Sequence, residues 1–86
     1  MINLGNIKND KEMYNFIKEN KIREIQILDD FDVLYCFTGF DKEDFNNNWN
    51  CDLNIYKYVK NKRTTNIAEL MKYIKKHGWL SVEYEQ

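Results

Sequence analysis

Twice in this chain an Asn-x-x-Glu box opens an amphipathic segment, and twice an Ile-Lys pair and a polar terminator close it ahead of a run of strand formers. "EMYNFIKENKIREIQI" from Glu12 and "ELMKYIKKHGWLSVEY" from Glu69 align without a gap, placing Glu12 over Glu69, Ile17 over Ile74 and Lys18 over Lys75. We read this echo as the shared grammar of a helix-to-strand unit, not as a duplication. It constrains the fold strongly. Met13, Phe16 and Ile17 make one apolar stripe over residues 9–20, and Ile67, Leu70, Met71 and Ile74 make another over 66–77. Helices this short are marginal alone in water, and each has a single face to bury, so both must lean on the same partner layer. Asn9 or Asp10 and Asn66 supply the caps, Asn20 and Gly78 the left-handed stops, and Lys75, Lys76 and His77 suit the C-terminal end of the helix dipole.

The layer they lean on lies between and after them. Residues 22–28 alternate around Ile25 and Ile27. Residues 31–38 carry Phe31, Val33, Tyr35 and Phe37 on one face and Leu34 and Cys36 on the other, the pattern of a strand that is central or covered on both sides. Asp29 and Asp30 suit the turn of a hairpin joining the two. Residues 40–50 are polar, with a helical turn at "DKEDF" and Trp49 in a surface loop among four asparagines. Residues 51–60 set Cys51, Leu53, Ile55 and Val59 against Asp52, Asn54, Tyr56 and Tyr58, "NKR" (61–63) turns the chain, and 79–84 forms a last strand. Ile2–Leu4 could add a short strand. The order α-β-β-β-α-β predicts an α+β domain over residues 1–86: a small, mostly antiparallel sheet with two helices packed on one face.

At 86 residues the chain holds one domain with a small core. With 43% hydrophobic and 15% aromatic residues it is globular, and a net charge of −1 excludes DNA binding driven by bulk charge. The first ten residues show no basic region followed by an apolar run, and no apolar stretch approaches a membrane span. Two cysteines and one histidine do not make a zinc site or a disulfide framework. The expectation is a cytoplasmic protein with reduced thiols, no metal and no cofactor. Phosphate loops, nucleophile elbows and metalloprotease helices are all missing from the sequence, so it is not read as an enzyme. Abundant Asn, Lys, Ile and Tyr with no proline is the residue usage of an AT-rich genome, such as a low-GC bacterium or its phages and plasmids.

Two surfaces stand out. Asp29, Asp30, Asp32, Asp41, Glu43, Asp44 and Asp52 fall in the middle of the chain against one Lys, at position 42. Here Asp41, Glu43 and Asp44 would rim an exposed Trp49, with Phe45 anchoring the loop, to form a partner-binding site. Later, Tyr56 and Tyr58 share a strand face with Lys60, followed by Lys62 and Arg63; aromatics interleaved with cations can stack bases and hold phosphates. The first surface leads to a non-enzymatic protein-binding module, such as a phage or mobile-element accessory protein that inhibits a host enzyme or defence nuclease. The alternative is an RNA or single-stranded nucleic-acid-binding protein that uses Tyr56, Tyr58, Lys60, Lys62 and Arg63.

Overall fold

Asn9 caps the first helix as its box requires. Its side-chain oxygen accepts the Glu12 N–H at 2.8 Å, while the Glu12 carboxylate reaches back to the Lys8 N–H at 2.8 Å. Helix α1 runs Asp10–Glu19 in this computed structural model, which describes residues 4–57, 60–77 and 82–86. It stops in a six-to-one turn, the Ile22 N–H on the Ile17 carbonyl at 3.0 Å. The left-handed residue of that turn is Lys21 (φ 52°), whereas Asn20 (φ −98°) is not left-handed. After it come β1 (Glu24–Leu28), β2 (Leu34–Thr38), a short α2 (Glu43–Asn48), β3 (Asn50–Tyr56), β4 (Lys60–Asn66), α3 (Ile67–His77) and β5 (Val82–Glu85). Asn66 caps α3 through the Glu69 N–H at 3.0 Å.

The protein is a small α+β domain with one open, antiparallel five-stranded sheet in the order β4-β3-β2-β1-β5. Register fixes its two faces. Ile25 opposes Phe37, which opposes Leu53; Ile27 opposes Tyr35, which opposes Ile55. These side chains, with Cys51, Val82 and Tyr84, meet Met13, Phe16 and Ile17 of α1 and Ile67, Leu70, Met71 and Ile74 of α3 in one core. Both long helices therefore lie on the same face, as their stripes demand. Burial of such side chains from both layers is the main favourable term of the fold.

The element count differs from the sequence reading in instructive places. The run 51–60 is not one strand: β3 ends at Tyr56, and "NKR" lies inside β4. The turn went unseen because β4 is an edge strand whose sequence, KNKRTTN, has no apolar residue to betray a period; pairing with β3 holds it. The three asparagines 46–48 are helical, not loop. Phe45 is buried between Tyr14 and Phe40, each ring 5.3 Å away, and this tertiary anchor overrides a weak propensity. Phe31 is not on a strand face; it lies in the β1–β2 turn. Leu4 belongs to a 3-10 turn (Leu4–Asn6), and the rest of the strand expected at 2–4 lies outside the described residues, as does the start of the one expected at 79–84. Among the described residues no helix is long and apolar enough to cross a membrane.

Candidate functional site: the open face of the sheet

All three helices contribute buried residues to the one core, so the opposite face of the sheet carries no layer of its own among the described residues. Alternation places three rows of side chains on that face, read from β5 to β4. The first row is Glu85, Glu24, Thr38, Asp52 and Thr64; the second is Glu83, Gln26, Cys36, Asn54 and Lys62. In the third, Leu28, Leu34 and Tyr56 are aligned across β1, β2 and β3, with the Lys60 position next in register.

Packing differs along these rows. In the second row Cys36 is 4% exposed and Asn54 9%, and burial with the nearby Glu24 charge pushes the Cys36 thiol up to about 11. The Gln26 amide donates to the Glu24 carboxylate. In the first row Asp52 accepts from Lys42 at 2.5 Å, and this bond raises the Lys42 ammonium above its ordinary value. Lys42 reaches Asp52 because Gly39 turns with φ +80°; a Cβ there would stand 3.0 Å from Lys42 Cε and 3.1 Å from Asp52 Oδ2.

The third row is different in kind. Leu28 is 48% exposed and Tyr56 37%, and Phe31, in the turn at the same end of the sheet, is 75% exposed. These are the exposed large hydrophobic side chains among the described residues; Leu28 and Tyr56 share one end of one face, and Phe31 lies in the turn at that end. The turn that displays Phe31 is built by Asp29. Its Oδ1 accepts the N–H of Phe31 at 2.8 Å and of Val33 at 2.9 Å, and its Oδ2 accepts the Tyr35 hydroxyl at 3.2 Å. Partial desolvation opposes the Asp29 charge, but those donors and the nearby His77 outweigh it and hold the carboxyl below its ordinary value.

The acidic residues of the middle of the chain fall into two groups. The hairpin turn and the segment after Gly39 flank β2 at opposite ends, so the central acidic residues do not form one patch. Asp41, Glu43 and Asp44 are exposed near the start of α2. Trp49 ends α2 in a left-handed conformation (φ 56°), and its half-buried ring stacks on Tyr14 at 5.1 Å and 21°. Asp41 also borders a cleft of about 480 Å³ lined by Lys18, Lys21 and Arg23, so this end of the molecule mixes both signs of charge. The nucleic-acid set is likewise divided. Register puts Tyr56 and Lys62 on the open face, with the Lys60 position paired to Tyr56, but Arg63 turns to the helix side, 2.7 Å from Glu69. Tyr58 lies outside the described residues. Cys51 lies buried on the helix face, opposite to Cys36, and His77 stacks near Tyr35 and Tyr73. Among the described residues no three His, Cys, Asp or Glu side chains converge as metal ligands.

Sequence reasoning missed the exposed row. The signal was present: residues 31–38 are apolar on both faces, and two helices can cover only one. Among the described residues, fold and site together define an open-faced α+β sandwich of one sheet and one helical layer, its other face apolar at one end. Compared with protein-family models, with curated proteins and with solved structures, the chain matches none.

Proposed function

We propose that the protein is a non-enzymatic protein-binding module whose docking surface is the open face of the sheet, centred on Leu28, Leu34 and Tyr56. One observation carries this reading: exposed Leu28 and Tyr56 flank half-buried Leu34 in one register row, at one end of a face that carries no layer among the described residues, with Phe31 in the turn at that end. Aromatic and aliphatic anchors with a polar surround are what protein interfaces use for most of their energy. The residue usage of an AT-rich genome favours an accessory protein of a phage or mobile element, acting in the cytoplasm on a host enzyme or defence nuclease.

A nucleic-acid role has less support, because Arg63 pairs with Glu69 and the first two rows hold Glu24, Glu83 and Glu85. The test is a pull-down from the native host with the wild type and with a Leu28→Lys/Tyr56→Glu double variant of unchanged melting temperature. A protein retained by the wild type and lost by the variant is expected. Identical capture by both would remove the open face from the interface. Retention of RNA or single-stranded DNA that falls steeply with salt would favour the nucleic-acid reading.

A further inference from the structure

The second and third rows of the open face are self-complementary about its own central strand. β2 is third of five, with β1 and β5 on one side and β3 and β4 on the other. Rotating a second copy by half a turn about an axis along β2 lays β5 over β4 of its mate and β1 over β3, while keeping each row over itself. In the second row Glu83 then meets Lys62, Gln26 meets Asn54, and Cys36 meets its own copy. In the third row Leu28 meets Tyr56 and Leu34 meets Leu34. The other in-plane axis, across the strands, fails: it sets each strand over itself, brings Glu83 near its copy, and lays the apolar row over the polar first row.

We propose that a second copy of this chain covers the open face, related by a two-fold axis that runs along β2. This rests on reading the open face as a protein-docking surface. The contact is isologous, as a two-fold requires, and the two sheets pack in the aligned manner of a β-sandwich. Five strands about 4.8 Å apart and about 17 Å long present roughly 400 Å² in plan from each copy. That sum over two copies is below a standard interface, so the dimer is weak and its population follows concentration. In the first row Glu24 meets Asp52, whose charge Lys42 offsets at 2.5 Å, so the charge contacts that select the axis are those of the second row: both Glu83–Lys62 contacts form or neither does.

Light scattering on the full chain tests this across about 10 μM to about 1 mM, the range in which a small interface dissociates. The mass is expected to rise from the 10.5 kDa of one chain toward twice that value. Glu83→Lys alone and Lys62→Glu alone should each hold the chain monomeric, and an equimolar mixture of the two variants should restore the doubled mass. Leu34→Lys, with a melting temperature showing that it folds, should stay monomeric because two like charges meet at the axis. A wild type that remains 10.5 kDa throughout overturns the dimer, while the docking reading then stands or falls on the Leu28/Tyr56 pull-down. A dimer insensitive to Leu34→Lys, or a charge-swapped mixture that fails to associate, places the contact elsewhere and overturns the arrangement.

Discussion

Lys21 holds a left-handed backbone conformation that costs an L-residue about 1–2 kcal/mol and glycine almost nothing. Lys21→Gly should therefore raise stability by about 0.5–1 kcal/mol, after the extra freedom glycine has when unfolded is subtracted; denaturant melts would show it as a higher midpoint. Trp49 is left-handed too, but its ring is committed to Tyr14. Trp49→Ala should cost about 1–3 kcal/mol, from the lost stack and lost burial, and an unchanged melting temperature would show that the ring contributes only at a surface. In α3, Leu70 is fully buried and Lys72 exposed. Leu70→Ala should cost about 2–5 kcal/mol and Lys72→Ala less than about 0.5 kcal/mol. At this scale much was legible in the sequence. The stripe residues of both helices and the anchoring role of Phe45 follow from spacing. The left-handed sites did not follow, because Lys and Trp are not residues that advertise such a conformation, and only the surrounding turn selects it.

Among the elements, the β1–β2 hairpin depends on one side chain. Asp29 bonds two turn N–H groups and the Tyr35 hydroxyl, and its folded-state pKa lies below its ordinary value. A depressed carboxyl adds stability that is full above the unfolded pKa and is lost as pH falls through the folded one. Asp29→Asn, which removes the charge and keeps an accepting oxygen, should thus be less stable than wild type near neutral pH. The two stability curves should converge below about pH 3.8, the ordinary value; a constant gap down to pH 2 would mean that the carboxylate charge is not what the turn uses. The hairpin, the two long helices and their shared face were readable from caps, periods and turn residues. β4 and α2 were not. β4 has no apolar side to report, since an edge strand needs only the backbone of its neighbour, and α2 is six residues held by a single phenylalanine.

For the whole molecule, the sheet divides the two thiols. Cys51 is on the helix face and Cys36 on the open face, so no intramolecular disulfide can join them. Burial is the first cause that pushes Cys36 up to about 11 and Cys51 to about 12. Native protein at pH 8 should react with a thiol reagent far more slowly than unfolded protein, because reactivity follows the thiolate, and its melting temperature should not respond to reductant or to chelator. Fast labelling of either cysteine without denaturant would contradict the burial described. The exposed row was the part of the site least visible from the sequence. Each of Leu28, Leu34 and Tyr56 reads alone as an ordinary strand residue, and only register across three strands assembles them.

The strand order also sets a schedule. β1 is an inner strand, yet one of its neighbours, β5, arrives last: Glu24 pairs with Glu85, 61 positions further along the chain. Closing so long a loop is entropically slow compared with zipping a hairpin. Until it closes, Ile25 and Ile27 sit on a strand whose backbone is unpaired along one side. A nascent or partly unfolded chain would thus present a sticky β1 border that any extended segment could occupy. The sooner residues 82–85 reach that border, the less time the chain spends open to such capture.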